Sequence, residues 1–301
     1  MKKDKEAIND PITHYKEALK AKPNDLELLN ELGSAYYNKG DMNQAIDSYT
    51  RLLRLDPHKP DVHFNMGQAY RAKGDWNSAV DCYERAVYLN PSDYEVYYNL
   101  GVTYMAKGAI DKAMACYQKV VSLQPQHIEA WTNLGNAYDE KGNTVQAIVC
   151  YEKVLSINPE DHIAFNSLGI VYDLQGDWPK ATRYYKKAVE LAPYNSKYHN
   201  DLAWVYLLQS NRVDAEAHFR ETWNLSRGTH VYAAMNLGHC TLLQGQKAEA
   251  KVWYQKSMVL WDNLEDFWAG MKEDYTELEM ETKGIASAQY QALLVELKGD
   301  L

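Results

Sequence analysis

Apolar and small residues recur at helical spacing in short blocks separated by glycine and proline. In one stretch Trp131, Leu134, Gly135 and Tyr138 share one helix face, a break follows at Gly142, Ala147 and Tyr151 continue on a second helix, and Pro159 closes the block. The block then repeats. Gly33, Gly67, Gly101, Gly135 and Gly169 are 34 residues apart, as are Gly40, Gly74, Gly108, Gly142 and Gly176. Pro57, Pro91, Pro125, Pro159 and Pro193 keep the same period, and so do six tyrosines from Tyr36 to Tyr206. A period of this length predicts helix-pair repeats, in which one pair cannot bury its apolar face alone and must stack on its neighbours.

The register sets seven unit starts, at Leu26, Pro60, Tyr94, Ile128, His162, Ser196 and Val231. The sixth unit departs from it. Ala203 stands where Gly is expected, Ser210-Asn211 replaces the turn glycine, and the next step is 35 residues, so a local irregularity is expected there. Tyr15, Ala18 and Pro23 match only a second helix, which makes residues 11–23 a half-repeat behind a short charged arm. Trp268, Met271 and Tyr275 match a first helix, and Ala286, Tyr290 and Leu293 a second one with two residues inserted.

The unit resembles the tetratricopeptide repeat, W-x2-L-G-x2-Y…A-x3-F…P. Trp131 through Pro159 is its best copy, with Tyr at the late aromatic position in most units and Phe219 in the sixth. The resemblance implies an all-α, right-handed α-solenoid superhelix of seven to eight repeats in one continuous domain. Residues 1–25 are expected to form an arm and cap helix, 26–264 seven units, and 265–301 a degenerate eighth unit.

Composition narrows the function. Apolar residues at 46% and charged residues at 24% exclude disorder along the whole chain. A net charge of −9 argues against nucleic acid or an anionic membrane as partner. The first six residues carry charges with no apolar stretch behind them, and no run reaches the roughly 18 apolar residues of a membrane span. The chain therefore reads as cytoplasmic. None of the nine histidines forms H-E-x-x-H or pairs with cysteine at metal spacing, and nucleophile-elbow, phosphate-loop and dinucleotide motifs are missing. Cys82, Cys116 and Cys150 share one repeat position and read as small core residues, since stacked helices hold them too far apart for a disulfide. No enzyme, cofactor or metal is expected.

The resemblance implies that the first helix of each unit lines a concave groove. Asn65, Asn99, Asn133 and Asn236 share one groove position, with Asn166 and Asn200 one residue earlier in their units. A ladder of carboxamides suits an extended peptide, because each can donate to and accept from a backbone. The groove positions also hold Glu27, Glu31, Asp61, Glu95, Glu129, Asp139, Glu140, Asp173 and Asp201 against only Arg71 and Lys197, which is seven of the chain's nine net negatives. That charge favours a partner segment with Lys or Arg. It argues against the carboxylate clamp of co-chaperone tetratricopeptide domains, whose Lys position here reads Asn30, Phe64, Tyr98, Thr132, Asn166, Asn200 and Met235.

In the last three units, Ile163, Ile170, Leu174, Trp204, Leu207, Leu208, Leu242 and Leu243 predict an apolar floor. It is expected either to meet a partner or to be covered by the amphipathic stretch Ile285 to Leu297. The function expected is a non-catalytic scaffold or adaptor binding a protein or peptide, with Asn99, Asn133, Glu95, Glu129, Asp139, Trp204, Leu207 and Leu242 prominent in the groove. The alternative is a structural protein that self-assembles through its terminal repeats.

Overall fold

The computed structural model describes residues 10–277 and 287–299. Ile285, Ala286 and the charged residues at positions 1–6 lie outside these, as does the side chain of Tyr275. The described residues form helices and turns with no strand, and they belong to two compact units, Met1–Cys150 and Tyr151–Leu301.

In the first unit α1 (Pro11–Ala21) precedes three helix pairs: α2 (Leu26–Lys39) with α3 (Met42–Leu55), α4 (Pro60–Ala72) with α5 (Trp76–Leu89), and α6 (Tyr94–Ala106) with α7 (Ile110–Leu123). Then come α8 (Ile128–Glu140) and α9 (Thr144–Ile157), within which the division into units falls. The second unit continues with α10 (His162–Leu174) and α11 (Trp178–Leu191), α12 (Ser196–Leu208) and α13 (Arg212–Leu225), α14 (Val231–Leu243) and α15 (Lys247–Leu260), and finally α16 (Leu264–Glu277) and α17 (Ser287–Gly299). Helices begin at each of Leu26, Pro60, Tyr94, Ile128, His162, Ser196 and Val231.

The turn inside a pair is built from two adjacent residues. Gly40 ends α2 in the left-handed conformation, φ 86°, and its N–H returns to the carbonyls of Tyr36 and Tyr37. Asp41 then caps α3, its carboxylate accepting from the Gln44 N–H at 3.2 Å. Gly74-Asp75 and Gly176-Asp177 repeat the device. In the sixth pair Ser210 must take the left-handed conformation itself, φ 62°, and Arg227 does so beyond α13, φ 54°. These are the positive-φ residues other than glycine among the described residues, and they coincide with the irregularity expected from the sequence.

Packing within a pair turns on one contact. The late-aromatic residues Tyr49, Tyr83, Tyr117, Tyr185 and Tyr254 are fully buried, each lying against a glycine of the first helix. In the sixth pair the same positions hold Ala203 and Phe219, both buried. The first unit has two buried clusters, one from Ile12 to Ala69 and one from Ala79 to Cys150. The second unit has a large one from Ala181 to Leu297 that includes Phe267, Met271, Tyr290 and Leu293. The Tyr290 hydroxyl donates to the Met271 carbonyl at 2.6 Å, tying α17 to α16, and Lys247 of α15 pairs with Glu296 of α17 at 2.9 Å.

Candidate functional site

The asparagines at the expected groove positions do not behave alike. In the first unit Asn99 is engaged by its own helix and Asn133 by the preceding pair. The Asn99 amide donates to the Glu95 carbonyl one turn earlier at 2.9 Å, and the Asn133 amide donates to the Tyr98 hydroxyl of the preceding pair at 3.3 Å. Asn65 lines a shallow depression with Ser34, Tyr37, Asn38 and Gln68. The acids stand more freely. Glu95 and Glu129 are exposed, although Glu129 lies 3.1 Å from the Nδ1 of His127. Asp139 is half-buried, and desolvation holds its carboxyl above the usual range.

In the second unit the amides are placed differently. Asn166 and Asn236 are 4% and 5% exposed, and their Oδ1 atoms, like that of Asn200, are buried with no hydrogen-bond partner among the described residues. Asp201 sits beside Asn166 and Asn200. Its carboxyl is raised by burial, against which Lys197 and then the two carboxamides act, and its Oδ2 also lacks a partner. An unpaired buried acceptor costs about 1–3 kcal/mol. Three such oxygens lie on α10, α12 and α14, and the described residues supply them no donor.

Beside them lies a cavity of about 560 Å³. Asn200 and Trp204 of α12 and Tyr232, Met235 and Asn236 of α14 form one side. Trp261, in the connection after α15, and Asp266, Ala269, Gly270, Glu273 and Asp274 of α16 form the other. Asp274 is fixed by the fully buried His239, whose Nε2 is 2.9 Å from its Oδ2 and whose Nδ1 is 2.8 Å from the Tyr254 hydroxyl.

Two expected groove residues need correction. Leu207 is wholly buried and Leu242 is 7% exposed, so both belong to the interior cluster and not to an accessible floor. Leu208 and Leu243 are buried with them, while Ile163 and Leu174 are exposed. The floor disappears because α16 and α17 add Phe267, Met271, Tyr290, Leu293 and Leu297 to the same cluster. Trp204 remains partly buried at the cavity wall, across from residues of α16. Tyr232, Trp261, Asp266 and Glu273 went unrecognised in the sequence. Trp261 followed by the acids of α16 was the available signal.

Among the described residues no group of His, Cys, Asp or Glu is arranged to hold a metal ion, and no helix is long and apolar enough to cross a membrane. The model of the cilia and flagella-associated protein 70 C-terminal domain matches residues 2–235. The chain belongs to this family of tetratricopeptide-repeat domains. Helices α15 to α17, and with them the acidic wall of the cavity, lie beyond the matched stretch. Comparison with curated proteins gives no match. Among solved structures, the protein MamA is 30% identical over 57% of this chain and 94% of its own, with a TM-score of 0.54. A tetratricopeptide repeat protein from Parabacteroides merdae ATCC 43184 is 21% identical, covers 84% of this chain and 98% of its own, and has a TM-score of 0.62. YrrB, described as having an unusual peptide-binding site, is 21% identical over 60% of this chain and 92% of its own, with a TM-score of 0.54. The last two likenesses concern the fold alone.

Proposed function

We propose that this protein is a non-catalytic scaffold that holds an extended, basic segment of a partner protein along the first helices of its repeats. The observation that carries the reading is the set of buried, unpartnered carboxamide oxygens of Asn166, Asn200 and Asn236 on consecutive first helices. Backbone N–H groups of an extended chain come as a row of donors and would satisfy them. The carboxamides would then fix the backbone while neighbouring side chains read the partner's sequence. Exposed acids at groove positions, Glu27, Glu31, Asp61, Glu95 and Glu129 among them, favour a segment rich in Lys and Arg and speed its encounter. The unusual peptide-binding site described for YrrB is in keeping with this use of the fold.

Selection from a peptide display library on the full chain tests the reading. Enriched sequences should be basic. Their affinity should fall at least ten-fold in the triple variant Asn166→Ala, Asn200→Ala, Asn236→Ala, which corresponds to about 1.4 kcal/mol or more. Acidic winners, or a triple variant that binds as well as the parent, would reject it.

A further inference from the structure

We propose that the cavity between α12, α14 and α16 receives an arginine side chain of the partner segment. This rests on the scaffold reading and adds a specificity pocket to it. The walls present three aromatic rings, Trp204, Tyr232 and Trp261, the last two in edge contact at 5.4 Å between centroids. They also present three carboxylates, Asp266, Glu273 and Asp274, with no basic residue in the lining. Asp274 is already held by His239, whereas Asp266 and Glu273 are exposed and show no ion pair among the described residues. The deep side carries Asn236, 5% exposed, and Asn200, each with an unpartnered Oδ1.

Each feature asks for something different, and one group answers all of them. Aromatic faces attract a cation, the carboxylates require positive charge, and the buried oxygens require N–H donors. A quaternary ammonium satisfies the rings and the charge but has no N–H, so Asn236 would stay unpaired. The lysine ammonium donates, but it is a compact and strongly hydrated charge that gains less from stacking. Guanidinium is planar, weakly hydrated and carries five donors. It can lie against a ring while donating both to the carboxylates and to the carboxamide oxygens.

The test uses the full chain with ¹⁵N-labelled tryptophan. The indole resonances of Trp204 and Trp261 are assigned from Trp204→Phe and Trp261→Phe. Three probes are titrated: acetyl-Gly-Arg-Gly-amide, its lysine counterpart, and its citrulline counterpart, which keeps the shape and loses the charge. The arginine peptide should shift both indoles saturably, the lysine peptide should bind at least five-fold more weakly, and citrulline should leave them unmoved. Asp266→Asn with Glu273→Gln, both at exposed positions, should weaken the arginine peptide at least five-fold without changing the helical circular-dichroism signal. Unmoved indoles, equal binding of lysine or citrulline, or an indifferent double variant would overturn the proposal. If arginine fails while basic peptides from the display selection still bind through Asn166, Asn200 and Asn236, only the pocket falls. If those peptides fail as well, the scaffold reading falls with it.

Discussion

Gly101 and Tyr117 are in such close register that a β-carbon on Gly101 would lie 2.7 Å from Cε1 of the tyrosine ring. Alanine is normally favoured over glycine inside a helix by about 0.5–1 kcal/mol. Here the order should invert. Tyr117 is fully buried and cannot swing away, so Gly101→Ala forces α6 and α7 apart. We expect a loss of about 1–3 kcal/mol, read as a lowered urea midpoint with an unchanged slope. An equal or higher midpoint would show that the contact is slack.

Asn236 and Asn133 should respond in opposite directions to removal of their amides. Asn236→Leu deletes a buried acceptor that has no partner, so the free protein should gain about 1 kcal/mol while losing affinity for basic peptides. Asn133→Leu breaks the bond to Tyr98 and should cost about 0.5–1.5 kcal/mol. Paired thermal melts and peptide titrations check both. Stabilisation by Asn133→Leu, or destabilisation by Asn236→Leu, would contradict the assignment.

His199 and His218 form a hydrogen-bonded pair that acid should break. The Nε2 of His199 donates to the Pro193 carbonyl at 2.9 Å, which leaves its Nδ1 to accept from Nδ1 of His218 at 2.9 Å. Burial first, and His199 second, hold His218 below its ordinary value of 6.5. A base whose folded value is depressed contributes stability that is present above the unfolded value and lost as pH falls through the folded one. The urea midpoint should therefore drop between pH 7.5 and pH 5.5, and drop less in His218→Asn. His63 and His230 are depressed by burial and act in the same sense, while the raised carboxyl of Asp201 acts in the opposite one. All three are common to both proteins, so the difference between them isolates His218. Parallel pH curves would exclude the pair as a contributor.

The four cysteines should be inert in the folded state. Burial pushes the thiols of Cys82, Cys116 and Cys150 up to about 12, and that of Cys240 higher still. Only about 10⁻⁴ of a thiol at 12 is ionised at pH 8, and the thiolate is the reactive species. Iodoacetamide at pH 8 should label none of them natively and all four in urea. Rapid native labelling at any position would locate an opening of that helix pair.

The helix pairs were legible because their rules are local. A glycine able to turn left-handed, an aspartate to cap the next helix and a small residue opposite an aromatic all show at fixed spacing, as Gly40, Asp41 and the pair Gly33 and Tyr49 do. Even the fault at Ser210 could be read as the place where the rule lacked its glycine. The site was legible only in part. Asn133 and Asn236 occupy the same repeat position, yet the amide of one donates to Tyr98 while the Oδ1 of the other is buried with no partner among the described residues. The corresponding residue of the preceding first helix differs, Tyr98 in one case and Asn200 in the other. Leu207 and Leu242 looked exposed by register, and became interior because α16 and α17 bring their own apolar residues to the same place. Degenerate repeats carry little spacing information, so the wall they build around Trp204 escaped a reading based on periodicity.

The glycine–tyrosine contacts have a kinetic side as well. From Gly33 and Tyr49 to Gly238 and Tyr254, each closes a loop of the same sixteen residues. The entropy lost in closing such a loop depends on its length, and here that length is constant along the chain. A search made of short, equal steps does not lengthen as pairs are added, in contrast to a sheet whose partners lie far apart in sequence. Repeat number could therefore change in this lineage, by duplication or loss of whole pairs, without making the protein slower to fold.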